Sequence, residues 1–507
     1  MSSPERVRAL DLIDRVLDPG SFRAWNDPLP TLAAPDPDYA AELAAARERT
    51  GLDEALVTGE GRIHARRVAV VACEFDFLAG SIGVAGAERL TLAVERATAE
   101  GLPLVASPTS GGTRMQEGTV AFLQMVKISA AVAAHRAAGL PYLVYLRHPT
   151  TGGVFASWGS LGHVTAAQPG ALIGFLGPRV YQALHDRAFP GGVQVAENLY
   201  EHGLIDAVVP PEELRRVAIR VLDVLGPDTA PPAPPGPTAE VSAEPLPDVP
   251  AWTSVRRSRD PRRPGLRTLL RHGARSVTPL RGTGEGESEP ALRLALARFG
   301  VEGGPGAPCV VLGQDRTRQS EHGPFGPAGL RQARRGMRLA AELGLPLVTV
   351  VDTAGAALSP EAEEGGLAGE IARCLAELVL LPAPTVCLLL GQGSGGGALA
   401  LLPADRVVCA QHGWLSPLPP EGASAILYRT TDRAAEIAGR QGIRAADLHH
   451  NAIVDRVVPE HPDAATEPVA FIHRIAEALR EELDTLRTMD PATRLARRRS
   501  RYRRLGL

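Results

Sequence analysis

Four short glycine-bearing segments hold the residues of this chain best suited to chemistry. They are Ser110-Gly111-Gly112-Thr113-Arg114-Met115-Gln116-Glu117 and Thr151-Gly152-Gly153 in the N-terminal half, and Asp352-Thr353-Ala354-Gly355 and Gly393-Ser394-Gly395-Gly396-Gly397-Ala398 in the C-terminal half. Each follows an apolar, strand-like run and precedes a helical stretch. That order aims backbone N–H groups without partners, backed by the positive end of a helix dipole, at one spot. Such a spot suits an oxyanion. A thioester carbonyl gathers negative charge when its α-carbon loses a proton, and fixed N–H donors hold the enolate by a few kcal/mol each. The competing reading is that these glycines make tight turns or let a helix lie close to a strand. A single pair leaves both readings open; four at matched positions favour the chemical one.

The positions match because the chain is duplicated. Gly101-Leu102-Pro103-Leu104-Val105 returns as Gly344-Leu345-Pro346-Leu347-Val348, and Gly152-Gly153-Val154 as Gly396-Gly397-Ala398. Gln168-Pro169-Gly170 returns as Gln411-His412-Gly413, and Asp206-Ala207-Val208-Val209-Pro210 as Asp455-Arg456-Val457-Val458-Pro459, all in one order and 243 to 249 positions apart. A repeat of that length is domain-sized, so two similar folds are expected in one polypeptide.

Strands alternating with helices must position the loops. Residues 67–74 and 103–107 read as strands, and 86–99 and 118–137 as helices, which argues for α/β units with largely parallel pairing. Residues 1–50 are charged and alanine-rich and read as helices. Residues 225–250 contain Pro-Pro-Ala-Pro-Pro-Gly-Pro, which forms no regular element. The linker is placed at 226–260, between an N-terminal domain at 1–225 and a C-terminal one at 261–507. Beyond about 260 the chain is basic and loop-rich up to a strand at 292–298. Alternation then resumes through Val458, and 467–507 reads as a charged helix or helix pair.

A chain of 507 residues gives each half enough length for its own core, and with 4% aromatics aliphatic side chains must fill it. The net charge of −3 makes no case for nucleic acid. The basic run at 494–504 reads as a solvated helix end or a contact with an acidic partner. None of the five cysteines forms a CxxC pair, so neither a zinc ribbon nor a dithiol redox site is supported; Cys73, Cys387 and Cys409 lie in apolar runs and read as core residues. The first 23 residues lack a signal-peptide core, and no run approaches the ~20 apolar residues that cross a bilayer, so a soluble cytoplasmic protein is expected. No P-loop, dinucleotide fingerprint or G-x-S-x-G elbow is present, and His449-His450 reads as surface. Lys127 is the only lysine among 54 basic residues. It sits by chance on an exposed helix, or where a compact charge must meet a phosphate or carboxylate.

The segments SGGTRMQEG, HPTTGGVFASWGSLGHV, QPGALIGFLGPRV and HGLIDAVV resemble the β subunit of bacterial acetyl-CoA carboxylase carboxyltransferase. PFGPAGLRQARRGMRLAAELGLPLVTVVDTAGA, GGGALALLPADRV, PPEGASAILYR and NAIVDRVVPE resemble its α subunit. The likeness covers roughly residues 5–225 and 290–460, β then α, so the chain resembles a fused β–α carboxyltransferase. That implies an α/β fold of two tandem crotonase-like (ClpP/crotonase) spiral domains of ββα units. It implies transfer of a carboxyl group from carboxybiotin to an acyl-CoA, with acetyl-CoA giving malonyl-CoA for fatty-acid or polyketide synthesis. Both substrates pass through enolate-like states. By resemblance, Gly111 and Gly112 face the thioester oxygen, and Gly396, Gly397 and Ala398 face the ureido oxygen of biotin. Gly152 and Gly153 shape the acyl pocket, Ser110 and Gly355 belong to the loops that bind substrate, and Arg114 and Lys127 meet CoA phosphates or structural carboxylates.

The biotin N1 anion takes the α-proton itself in this scheme, so no side-chain base is required. The chain has neither an ATP-grasp-like region nor a Met-Lys-Met biotinylation site. Carboxybiotin is therefore expected on a separate biotin carboxyl carrier protein, charged by a separate biotin carboxylase. A homodimer is expected because the family assembles as α2β2 with active sites between subunits. Three departures stand out. The β subunit's four-cysteine zinc ribbon is missing, so no metal is expected. Gly313-Gln314-Asp315-Arg316-Thr317 is less basic than its counterpart, and the family's HGDR appears as His272-Gly273-Ala274-Arg275. A biotin-independent thioester enolate enzyme (a decarboxylase or hydratase) and a non-catalytic paralogue are the alternatives. For a hydratase, Glu117 is the one obvious acid beside a glycine loop, and it reads as orienting Arg114.

Overall fold

Strands buried on both faces of a parallel sheet read as unbroken apolar runs, and both halves supply them: 68–73 and 104–107 in the first, 307–313 and 347–351 in the second, all buried. The computed structural model describes residues 4–25, 37–175, 187–225, 247–300 and 306–503. The chain divides into two compact units, Met1–Leu222 with Gly284–Gly286, and Asp223–Thr283 with Glu287–Leu507.

In the first unit the strands are β1 (Arg23–Ala24), β2 (Leu56–Ile63), β3 (Arg66–Cys73), β4 (Leu104–Ser107), β5 (Tyr142–Leu146), β6 (Thr150–Thr151), β7 (Val164–Ala167), β8 (Ile173–Gly174) and β9 (Ala207–Val208). The main sheet runs β1-β2-β3-β4-β5-β7-β9, and β6 pairs with β8 in a separate parallel ribbon. The pairs β1/β2 and β2/β3 are antiparallel; from β3 onward the pairing is parallel. The second unit has β10 (Ala274–Leu280), β11 (Leu292–Phe299), β12 (Ala307–Gln314), β13 (Leu347–Thr353), β14 (Thr385–Ser394), β15 (Arg406–Ala410), β16 (Trp414–Ser416) and β17 (Arg456–Val458). Its order, β10-β11-β12-β13-β14-β15-β17, repeats the first sheet, with the same switch from antiparallel to parallel at the third strand. Here the short partner strand β16 pairs with the end of β14.

The repeated sequence landmarks are joints of this fold. Pro103 O accepts from Ala69 N and Pro346 O from Val310 N, both at 2.8 Å, tying the third strand to the fourth. Asp206 donates its N–H to Thr165 O and accepts from Thr165 N; Asp455 does the same with Val407. Register fixes the correspondence of the two units. Leu104 pairs with Tyr142 and Leu347 with Thr385, a constant shift of 243 residues. Gly152 therefore corresponds to Gly395, not to Gly396 as the sequence pairing has it. The two share a left-handed backbone, with φ of 68° and 67°, which glycine adopts without a steric penalty.

Helices Val84–Ala99 and Gly118–Ala137 connect β3 to β4 and β4 to β5; Pro327–Glu342 and Leu367–Leu380 do so in the second unit. Each unit has its own core of mainly aliphatic side chains, and all five cysteines are buried and free. Among the described residues no helix is long and apolar enough to cross a membrane.

Three expectations differ from the structure. Most of the expected linker, including the proline run at 231–237, lies outside the described residues, but its end at 260 comes too late. Ala251–Ser258 is a helix whose Ala251, Ser254, Val255 and Ser258 are buried, the one-face spacing of a docked helix. The stretch beyond 260 is not loop-rich, for it holds helix Leu266–His272 and strand β10. The basic run at 494–504 is a solvated end only in part: Arg497, Arg499 and Arg503 are exposed, but two of its arginines are not. Helices Pro468–Thr488 and Pro491–Arg503 close the described chain, with Arg494 and Arg498 buried. The Arg498 guanidinium donates to both Asp405 oxygens at 2.8 and 2.5 Å, and to the carbonyls of Leu378, Leu381 and Ala383. A flat fork of five donors matches the orphan carbonyls at the end of helix Leu367–Leu380.

Candidate functional site

In the first unit the chain leaves β4 into a turn built on Ser110. Its buried hydroxyl accepts from Gly112 N at 2.9 Å and donates to Gly112 O. The second unit repeats the turn after β13, where the Thr353 hydroxyl accepts from Gly355 N at 3.1 Å and lies 2.8 Å from Gly355 O. Thr151 N donates to Ser110 O at 2.9 Å, so the two first-unit segments lie side by side. A Cβ on Gly152 would stand 3.3 Å from Gly112 Cα. Gly397 likewise lies against the second-unit turn, its missing Cβ 3.1 Å from Ala356 N. The structure thus joins residues 110–112 to 151–153, and 353–356 to 396–397.

Several nominated amides are already engaged. Gly111 N donates to Ala79 O at 2.8 Å, Gly112 N to the Ser110 hydroxyl, and Gly152 N to Gly174 O and Phe175 O. Gly111 and Gly112 are therefore not the open donors of the first unit, because the turn that shapes them consumes their N–H groups. Gly355 N is held by Thr353 in the same way. The next amides on the neighbouring segment, Gly153 N and Val154 N, have no acceptor among the described residues. In the second unit Ser394 is the N-cap of the short helix Gly395–Leu399. Ala398 N falls where the first intrahelical bond forms, whereas Gly396 N and Gly397 N belong to the unpaired first turn. With the 243-residue shift these are the same two positions in each unit: Gly153 with Gly396, and Val154 with Gly397.

Arg114 and Lys127 meet carboxylates. Arg114 is 1% exposed and donates to both Glu54 oxygens and to Ser81 O at 2.6 Å. Burial alone would lower its pKa, and the Glu54 carboxylate more than reverses that. Lys127 pairs with Glu88 near the surface. Glu117 accepts from Val84 N at 2.6 Å, capping helix Val84–Ala99, and from the Tyr39 hydroxyl. Burial, with this bond, pushes the Tyr39 pKa up to about 12.

The weakly basic stretch 313–317 is a structural knot. Asp315 accepts from Thr317 N and Arg318 N at the start of helix Arg316–His322, and pairs with Arg267 at 2.7 Å and with Arg293. Burial raises its pKa, but the two guanidiniums hold it below the ordinary carboxylate value. His272-Gly273-Ala274-Arg275 runs from the end of a helix into β10, and His449-His450 is exposed at a helix end. Among the described residues no group of three or more His, Cys, Asp or Glu is placed to hold a metal. Sequence reasoning missed Gln314, Gln319 and Phe325, which brace the second-unit loops. Gln314 stood in the stretch noted only for its charge, and nothing local distinguishes a bracing glutamine from a surface one.

The carboxyl transferase domain family matches residues 6–497. Over 503 residues, 99% of both chains, the sequence is 63% identical to the probable biotin-dependent acyl-coenzyme A carboxylase beta3 subunit of Mycobacterium tuberculosis. It is 39% identical over 524 residues to the acetyl-coenzyme A carboxylase carboxyl transferase subunits beta/alpha of Salinispora arenicola, covering 99% of this chain and 91% of that one. Transcarboxylase 12S, solved as a hexamer with methylmalonyl-coenzyme A and methylmalonic acid bound, superposes with a TM-score of 0.72 at 18% identity, over 95% of this chain and 90% of that chain. At that identity the likeness is one of fold, and it shows the α/β, crotonase-like architecture.

Proposed function

The chain belongs to the carboxyl transferase domain family, and from that premise we propose that it is the carboxyltransferase component of a biotin-dependent acyl-CoA carboxylase. It takes the carboxyl group from carboxybiotin on a separate carrier protein and places it on the α-carbon of acetyl-CoA or another short acyl-CoA; with acetyl-CoA the product is malonyl-CoA. The observation that carries this reading is a pair of amides at matching positions in each unit, Gly153 and Val154 with no acceptor among the described residues, and Gly396 and Gly397 in the first turn of a helix. Two oxyanions arise in such a transfer, the thioester enolate and the ureido oxygen of the biotin anion. We assign the first to Gly153 and Val154, and the second to Gly396 and Gly397. Fixed backbone donors serve both without reorganising at the moment of reaction.

The proton balance needs no protein base. Carboxybiotin gives up CO2, its N1 anion takes the α-proton, and the resulting enolate attacks CO2. The chain's share is alignment. Met125 and Thr113 close against Gly153, 3.2 and 3.3 Å from where a Cβ would lie, which supports a short acyl chain. The only lysine is paired with Glu88, in keeping with biotin arriving on a carrier that biotin carboxylase charges. A hydratase would need acids over the α-carbon, whereas Glu117 is committed to Val84 and Tyr39. An exposed apolar stripe on helix Gly118–Ala137 supports self-association, with a homodimer as the assembly proposed.

The test runs the transfer backwards with the purified full chain, malonyl-CoA and biocytin. The expected result is acetyl-CoA formation that depends on biocytin. Decarboxylation of malonyl-CoA at the same rate without biocytin would favour a biotin-independent enzyme. No turnover of malonyl-, methylmalonyl- or longer carboxyacyl-CoA would sink the proposal.

A further inference from the structure

We infer that Gln314 is a positioning residue for the amide pair of Gly396 and Gly397, an inference that rests on the carboxyltransferase reading of that loop. Gln314 is the last residue of β12 and is 0% exposed. Its Oε1 accepts from Asp352 N at 2.9 Å, and its Nε2 donates to Gly397 O at 2.8 Å. Asp352 leads into the Thr353–Gly355 turn, and Gly397 lies in the first turn of helix Gly395–Leu399. One primary amide thus spans both segments of the second-unit site.

The bracket acts where the backbone is least able to hold itself. Gly395, Gly396 and Gly397 are consecutive and have no side chains to lock their dihedrals. A carbonyl fixed at Gly397 fixes the peptide plane it shares with the Ala398 N–H, and so anchors one side of the Gly397 Cα whose other side carries the Gly397 N–H. Gln319 steadies the other segment, donating to Asp352 O at 3.1 Å and accepting from the Thr353 hydroxyl at 2.6 Å.

The first unit does without this device. Ala69 pairs with Leu104 as Val310 pairs with Leu347, so Cys73 occupies the position of Gln314, four residues further along each strand. A thiol there is too short to bridge two segments. There the carbonyl of Val154 accepts from Gly159 N at 2.9 Å, within its own loop. Among the described residues only the second-unit loop carbonyl is held by a side chain from a neighbouring strand, and the group that does so must accept and donate at once. Glutamine satisfies that, leucine satisfies neither bond, and glutamate satisfies both only when protonated.

The experiment uses the full chain, malonyl-CoA and biocytin as above, with Gln314→Leu and Gln314→Glu, and records hydrogen exchange of segment 395–399. Gln314→Leu is expected to lower kcat by about 100-fold, the scale of a misplaced donor, with KM for malonyl-CoA unchanged and exchange at 395–399 accelerated. Gln314→Glu is expected to gain rate, relative to wild type at each pH, as the pH falls and its carboxyl takes up a proton. A rescue of that kind comes only from the donor–acceptor pair and does not follow from a fault in folding. A folded Gln314→Leu chain with wild-type kcat and wild-type exchange at 395–399 overturns this inference alone. A wild-type chain that transfers nothing to biocytin overturns the reading of function instead, while the exchange at 395–399 still decides whether Gln314 holds the loop.

Discussion

At Gly397 a side chain has nowhere to go. A methyl group there would lie 2.7 Å from Phe325 Cζ and 3.1 Å from Ala356 N. Gly397→Ala is therefore expected to destabilise the chain by about 1–3 kcal/mol, the range for forcing an extra methyl into a packed site. Carboxyl transfer should fall further than stability, because the amides beside it move. Adding Phe325→Leu removes the ring edge and should recover part of the loss. Thermal unfolding of the two single variants and the double variant reads this as a coupling; strictly additive effects would show that Phe325 is not the obstacle. The sequence made these glycines visible as a class but not individually. It singled out Gly111, Gly112 and Ala398 as donors, and their N–H groups go to Ala79 O, to the Ser110 hydroxyl and into a short helix. Which amide stays open is decided by partners distant in sequence, so no local pattern reveals it.

Elements are tied together here by buried ion pairs that composition alone does not disclose. Arg263 follows the helix Ala251–Ser258, and Glu460 follows β17; both side chains are fully buried and joined by two bonds of 2.7 Å. Glu460 also accepts from His412 N at 3.0 Å and Ala464 N at 2.8 Å. Burial pushes the Glu460 pKa up, but Arg263 outweighs it and holds the carboxyl below its ordinary value. A depressed folded-state pKa adds stability above the unfolded-state value and loses it as pH falls through the folded one. Arg263→Leu leaves a buried carboxylate unpaired and is expected to cost about 3–5 kcal/mol at neutral pH. The gap from wild type should narrow as the medium is acidified from neutral pH through the carboxylate range, because the unpaired carboxyl of the variant takes up a proton first and the paired one of the wild type only at lower pH. Denaturant unfolding across that range checks the sign, and a gap that widens on acidification would contradict it. The same long-range pairing explains what sequence could and could not give for the elements. Helix Gly118–Ala137 was legible to the residue from its apolar run. Strand β10 was not, because it is an edge strand only partly buried, with Arg275 and Pro279 in it. The final arginines suggested a solvated end because their partners, Asp405 and the carbonyls of Leu378, Leu381 and Ala383, lie about a hundred residues away.

For the molecule as a whole, the duplication was the most legible feature, since four landmarks in one order require two copies of one fold. The one-residue error at Gly152 arose because identical glycines slide against each other in sequence. Only strand register and the shared φ of Gly152 and Gly395 fix the match. Scattered exposed apolar residues are ordinary on a protein surface. Val120, Leu123 and Val126 are not scattered. They lie three residues apart along helix Gly118–Ala137, each more than half exposed, with Met115 just ahead of them. A stripe of this kind on the helix that follows the 110–117 loop is suited to cover by another protein surface. The wild-type chain is therefore expected to sediment as a dimer or higher assembly at micromolar concentration. The double substitution Leu123→Glu with Val126→Glu should shift it toward monomer without lowering its unfolding temperature, because neither side chain is part of the core. Carboxyl transfer should fall with the monomer fraction if assembly completes the site. A wild-type chain that sediments as a monomer, fully active with malonyl-CoA and biocytin, would show that this face has no partner in catalysis.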